Sequence, residues 1–443
     1  MNINVRMLLL RTVIMGLFSG IYGVIFNLYV LDMGYRADFL GLLLSVTLLT
    51  SSAMSIPAGV LCDRLDRRKL MIVSSALSVA CILPVFVLSS PFALLLFSAL
   101  YGVFSSISGV CLTPILADNT DGETVPVFSA NASLGWVATV AGNAFGGILP
   151  GLWARYCADL SSYRLTLLCA LALLGLSCGV LVLLRAGKPR PHHRRPRQLR
   201  LADLRPSPTI LKFTVASVTF GVASGMIVPY FNIYFMKVLN MGVLEIGLTS
   251  AVAGAVMIVG LMGTPLLTAK IGKVRSAVAS KLLTVPFLVF MAITTDMALA
   301  AVAYVAYMFL INLAGPATTS FQMEQIPRRQ QGFAVGLMST GNCLAVAASS
   351  FAAGVLIAGG NFLVPFLLTC AGYAATAALL YHYFRDVEPA GREVRRRSRA
   401  PLGARAPIVA PAILLTNVPE GPRALTPLPL ERAEGPQRRA ADR

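Results

Sequence analysis

Carboxylates are the scarcest chemistry in this chain. Its 443 residues carry 19 Asp and Glu against 37 Lys and Arg, and no acid lies deep inside an apolar run. Charged residues of both signs make up only 13%, where soluble domains carry about 25%. Histidine is rarer still, with three in all, and the eight cysteines (Cys62, Cys81, Cys111, Cys157, Cys169, Cys178, Cys343, Cys370) show no C-x-x-C or other ligand spacing. Cysteines that fall mostly in apolar runs read as buried, reduced thiols. No metal site, nucleophile elbow, phosphate loop or ATP-binding domain is apparent, so neither an enzyme nor a bound cofactor or metal is expected.

What the chain does have is apolar length. Hydrophobic residues make up 56%, and the mean hydropathy is +0.74. Twelve runs of about twenty residues, the length that crosses roughly 30 Å of hydrocarbon as helix, fall near 12–31, 39–62, 70–88, 92–116, 127–152, 165–184, 211–236, 246–268, 276–295, 297–320, 333–358 and 362–384. Connections as short as Ser89–Pro91 and Gly359–Asn361 make neighbouring spans antiparallel. No cleavable signal peptide is expected, because Arg11 leads straight into a full-length span.

The net charge of +18 does not indicate nucleic acid as a partner, because its placement is that of membrane loops. Twelve basic residues follow Phe384 and nine lie from Arg185 to Lys212. With both termini on one side, that side holds twenty Lys and Arg before the tail, and the opposite side holds four: Arg36, Arg155, Arg164 and Lys237. Basic loops face the cytoplasm, so both termini are expected there and the protein in the cell (inner) membrane. The Arg- and Pro-rich linker 185–210 and the basic tail 385–443 read as cytoplasmic. The tail is expected to be disordered and held against anionic lipid. His192 and His193 lie in the linker and read as part of a flexible basic segment.

The chain also says things twice. Gly16–Tyr29 and Gly221–Tyr234 share the pattern G-x-x-S-G-x5-F-N-[LI]-Y at a shift of 205. At a shift of 206, Gly41 matches Gly247, Arg64 matches Lys270, Gly109 matches Gly315, Asp118 matches Glu324 and Phe145 matches Phe351. The fold class expected is therefore all-α and integral to the membrane, with twelve transmembrane helices in two pseudo-symmetric six-helix halves, 1–184 and 211–384. Parallel halves of this kind recur in secondary transporters, whose substrate site lies between them near the bilayer midplane.

The loop after the second span carries a specific signature. "GVLCDRLDRRKL", Gly59 to Leu70, resembles the G-x-L-x-D-R-x-G-R-[KR]-x motif of the major facilitator superfamily, and the second half keeps a worn copy, "PLLTAKIGKVR", Pro265 to Arg275. The resemblance implies a conformational latch built from Gly59, Asp63, Arg64, Arg67, Arg68 and Asp118. It sets Asp63 near Gln331–Phe333 at the start of the eleventh span, and Arg64 or Arg67 near Asp118. Asp66 stands where the family pattern has Gly; Asp takes left-handed backbone at some cost, so the turn is expected to be kept. In the fifth span "GNAFGG", Gly142 to Gly147, resembles the G-P-x-x-G-G core of family exporters, with Asn143 in place of Pro. A close-packing seam of small residues is the plainer reading.

On a helical wheel Gly16, Gly20, Gly23 and Asn27 share one face, and Tyr22, Phe26 and Tyr29 lie roughly opposite. The repeat sets Gly221, Gly225 and Asn232 against Phe231 and Tyr234. One assignment makes the Gly/Asn face a packing seam, with the amides bonding across to neighbours and the aromatic face lining the cavity. The reverse puts Asn27 and Asn232 in the cavity and packs the rings. Asp32, near an outer helix end, is the candidate coupling group, and Lys281 is expected to snorkel to the inner surface. The expected function is a monomeric transporter of a small organic solute in contact with membrane lipid, with export of an amphipathic or aromatic compound preferred. Uptake of a neutral metabolite, or a receptor that moves nothing, are the alternatives.

Overall fold

The computed structural model describes residues 3–120, 124–156, 161–184, 206–327 and 330–385, with the side chains of Asp63, Thr124 and Val125 excepted. Most of the linker, Cys157, His192, His193, Arg328, Arg329 and nearly all of the tail lie outside the described residues. Twelve helices among the described residues are long and apolar enough to cross a membrane. In chain order they are α1 (Ile3–Asp32), α2 (Ala37–Arg64), α3 (Arg67–Val87), α4 (Pro91–Asp118), α5 (Thr124–Tyr156), α6 (Ser162–Val182), α7 (Pro208–Ile227) continued by α8 (Phe231–Lys237), α9 (Val243–Ile271), α10 (Lys273–Ile293), α11 (Met297–Leu313) continued by α12 (Gly315–Gln325), α13 (Gln331–Ala358) and α14 (Leu363–Phe384). Each matches a run expected from hydropathy.

Two spans are broken, and both breaks fall at proline. The seventh passes through a 3-10 turn, Val228–Tyr230, centred on Pro229. The tenth breaks at Ala314, just before Gly315 and Pro316. Proline lacks an amide N–H and clashes with the preceding turn, so it frees backbone carbonyls at these depths.

The two halves repeat one packing scheme. α1 packs on α5 and α6 as α7 packs on α13 and α14, and α4 bridges α2 and α3 as α11 bridges α9 and α10. Contacts between the halves run mainly through α2 with α13 and α5 with α9. Small residues allow the helices within a half to approach closely. A Cβ on Gly16 would lie 2.6 Å from the Gly135 carbonyl, and one on Gly225 would lie 2.6 Å from that of Val346. The start of α1 and the end of α14 share one membrane face, called here the terminal face. The opposite one is the far face.

The signature loop closes differently in its two copies. Gly272 takes φ +90° before α10. Its counterpart Asp66 has φ −62° and caps α3, accepting from the amides of Arg68 and Lys69. The expected left-handed turn at Asp66 is therefore corrected: a side-chain cap, worth about 1 kcal/mol at a helix start, replaces glycine's backbone freedom.

Candidate functional site

The motif asparagines cross between the halves. Asn27 Nδ2 donates to the Pro229 carbonyl at 2.6 Å, a group on the broken turn of the seventh span. Asn232 Nδ2 donates to the carbonyls of Gly23 at 2.8 Å and Val24 at 3.1 Å. Further out, Arg36 donates to the Ala358 carbonyl. Ser45 Oγ bonds the Ala347 carbonyl at 2.6 Å, and Asn143 Nδ2 reaches the Ser250 carbonyl at 3.3 Å. Glycines bring the backbones together around these bonds. A Cβ on Gly41 would sit 2.9 Å from the Ser350 carbonyl, and one on Gly147 would sit 2.9 Å from Cα of Gly247. All hydrogen bonds between the halves among the described residues lie in the far half of the spans.

The terminal half is built differently. A Cβ on Gly59, Gly332 or Gly336 would meet nothing within 4 Å, and Ile56 and Val60 are exposed. At mid-span Ser19 and Gly23 are exposed on α1 although most of that helix is buried. Ser19 is the serine of the repeated motif. Its counterpart Ser224 makes only a local bond to the Gly221 carbonyl. The halves thus form a cleft sealed at the far face and open toward the terminal face.

The rings expected to line this cleft are packed inside the halves. Tyr22 stacks on Phe26 at 4.5 Å and on Phe18 at 5.6 Å. Tyr29 is 2% exposed and its hydroxyl donates to the Phe86 carbonyl at 2.8 Å. In the second half Phe231 packs against Tyr304, Tyr307 and Phe366, and the Tyr234 hydroxyl bonds the Met291 carbonyl. A buried tyrosine needs a partner for its hydroxyl, and a backbone carbonyl inside each half supplies one. The aromatic face therefore serves the cores of the halves in this conformation, while Asn27 and Asn232 face the opposing half.

Of the signature residues, Arg67 Nη1 pairs with Asp118 Oδ2 at 2.8 Å, and Arg68 bonds the Val182 carbonyl at the end of α6. Arg64 is exposed. Moving 206 residues along the chain carries Arg67 onto Lys273 and Asp118 onto Glu324, and these two are also paired. Each pair ties helix ends within its own half. Asp32 accepts from Ser161 Oγ at 2.6 Å on the far face, away from the cleft.

Two cations lie inside the halves. Arg11 is 5% exposed and donates to Ser108 Oγ at 2.8 Å, which in turn contacts Ser75 Oγ at 2.7 Å. Lys281 does not reach for the surface as expected: its Nζ lies 5.0 Å above the Phe220 ring, and an ammonium is attracted to a ring face. Phe220 also forms one wall of a pocket of about 300 Å³ in the second half, with Ser217, Gln322, Ser339, Asn342 and Thr376 among its other lining residues. Asn342 Oδ1 is buried without a hydrogen-bond partner. Composition and periodicity did not single out this pocket or Ser19; the shared serine of the motif was the available signal for the latter.

The chain matches the family model of the Major Facilitator Superfamily over residues 8–350. Among solved structures it resembles the nucleoside transporter NupG, with TM-score 0.69 and 12% identity over 87% of this chain and 100% of that one. It also resembles a bacterial homolog of the human lysosomal transporter Spinster in its inward-facing, unoccupied conformation, with TM-score 0.64 and 16% identity over 90% and 98% of the two chains. No curated protein matches the sequence. At these identities the solved structures speak for the fold.

Proposed function

Since the chain belongs to the major facilitator superfamily, we propose that it moves a small organic solute by alternating access, as a secondary transporter of the cell membrane with both termini in the cytoplasm. The observation that carries this reading is the unequal closure of the two faces. Exchanged amide bonds and glycine contacts seal the far face, while the terminal face is open down to Ser19 at mid-span. A bistable interface of this kind is what rocking halves require.

The bias of basic residues toward the terminal face supports a cytoplasmic opening. In this conformation the cleft exchanges solute with the cytoplasm, a state that export and uptake share. Tyr29 and Tyr234 are buried and Tyr22 is stacked on Phe18 and Phe26, so the rings give no reason to favour an aromatic solute. The polar groups that remain accessible, Ser19 on α1 and the serine and amide side chains of the second half, favour a solute with hydrogen-bonding groups. The reading is tested by counterflow in proteoliposomes, with solutes screened as competitors. Accumulation of labelled solute against unlabelled solute is expected. Absence of exchange for every solute that binds the purified protein would make it a receptor.

A further inference from the structure

The two halves treat their interior cations differently, and the difference leaves a cavity. The shift of 205 that relates the motif copies carries Arg11 onto Ala216, and the shift of 206 carries Ser75 onto Lys281. In the first half the Arg11 side chain reaches from α1 to Ser108, whose hydroxyl meets Ser75 of α3. In the second half the small side chain of Ala216 lines the pocket of about 300 Å³ instead. The cation comes from the other helix of the pair: Lys281 of α10 reaches toward Phe220 of α7.

Among the described residues Lys281 has no acid to answer it. Residues 208–384 contain only three carboxylates, Glu245, Asp296 and Glu324. Glu245 accepts from the Gly242 amide and Asp296 from that of Leu299, both at helix starts on the far face. Glu324 pairs with Lys273. An ammonium within a membrane span is costly unless it is paired, and intramembrane cations mark ligand paths by default. Phe220 stands between the cation and the pocket: its ring carries Nζ and forms part of the wall, so the ammonium acts on the pocket through its charge rather than as a lining group. The rest of the lining combines apolar side chains such as Val335 and Leu380 with a few polar ones. Its volume lies at the small end of the range for small-molecule sites, about 300–1,000 Å³.

We propose that this pocket is a binding site for a small organic monocarboxylate, with Lys281 as counter-ion. The inference rests on the transporter reading and names its substrate class.

The test uses the purified full-length protein and a panel of hydroxybenzoates, phenylacetate and short hydroxy acids, each paired with its uncharged primary amide. Binding is read by calorimetry, and counterflow is measured in parallel. At least one acid is expected to bind more tightly than its amide. Lys281→Gln should weaken that binding by about tenfold, the pull of a unit charge across one ring in a low-dielectric interior, and Lys281→Arg should retain most of it. Ala216→Met, which leaves Lys281 in place and fills the pocket, should also abolish binding. Equal affinity for acids and amides across the panel, or acid binding unchanged in both Lys281→Gln and Ala216→Met, overturns the proposal. Counterflow of neutral solutes untouched by Lys281→Gln sinks the anion site alone. Lys281-dependent binding without counterflow of any solute keeps the site and sinks the transport reading.

Discussion

Asn27 and Asn232 exchange hydrogen bonds between the halves: the amide of each is donated to the backbone of the other's span, at 2.6 Å to Pro229 and 2.8 Å to Gly23. The repeat in the sequence thus becomes a reciprocal clasp at the far face. Each interhelical bond of this kind contributes about 0.6–2 kcal/mol, so removing one is expected to change the closed-to-open ratio by roughly 3- to 30-fold. A reporter cysteine at Ser19, on a cysteine-free background, should react with an impermeant thiol reagent from the terminal face. Far-face reaction should rise in Asn27→Ala and rise further in Asn27→Ala/Asn232→Ala. Unchanged far-face labelling would mean that the amides do not hold the closure.

Glycines on the two kinds of seam should fail in different ways. Gly20 lies within the first half, where a Cβ would sit 2.6 Å from the Asn143 amide, whereas Gly247 lies between halves, 2.6 Å from the Gly147 amide. Gly20→Leu is expected to lower the melting temperature of the whole protein, because it forces apart helices that build one half. Gly247→Leu should leave the melting temperature near wild type and raise far-face labelling of the Ser19 reporter. Equal loss of stability in both would show that the halves do not separate at α5 and α9.

The paired helix ends are surface ion pairs and should matter little to stability. Arg67 and Asp118 are 26% and 47% exposed, and pairs of this kind contribute about 0–1 kcal/mol. Arg67→Asp and Asp118→Arg are each expected to impair counterflow with little change in melting, and the swap Arg67→Asp/Asp118→Arg should restore part of it. Failure of the swap, with both single variants impaired, would assign Arg67 to its bond with the Cys62 carbonyl.

Orientation is checked in intact cells. Single cysteines at Ser90 and Gly360 should react with an impermeant reagent added outside, and one at Pro189 should not. Labelling at Pro189 would reverse the membrane orientation and, with it, the side on which the cleft opens.

The spans and their repeat were legible because hydropathy over twenty residues is a strong signal, and the copies keep one register with few insertions. The packing role of the amides could be read from the wheel, but their targets could not, because Pro229 offers its carbonyl only where the seventh span breaks. The placement of the rings was not legible: a helix face alone does not say whether it meets a cleft or a neighbouring helix, and the carbonyls of Phe86 and Met291 that receive Tyr29 and Tyr234 are far along the chain. In the sequence Arg11 stands at the edge of an apolar run, yet α1 begins at Ile3, so the helix extends about two turns before it and carries the guanidinium inside. The pocket by Ala216 becomes visible only when the two halves are compared position by position.

The central claim is that closure of one face and opening of the other are a single motion of two halves. Spin labels at Ser89 and Thr295 report the far face, and labels at Lys69 and Arg275 report the terminal face; all four positions are exposed. Distances measured by double electron–electron resonance in wild type and in Asn27→Ala/Asn232→Ala test the claim most directly. The account predicts that releasing the clasp lengthens the Ser89–Thr295 distance and shortens the Lys69–Arg275 distance in the same molecules. A far-face distance that grows while the terminal-face distance stays fixed, or no change in either, would contradict it.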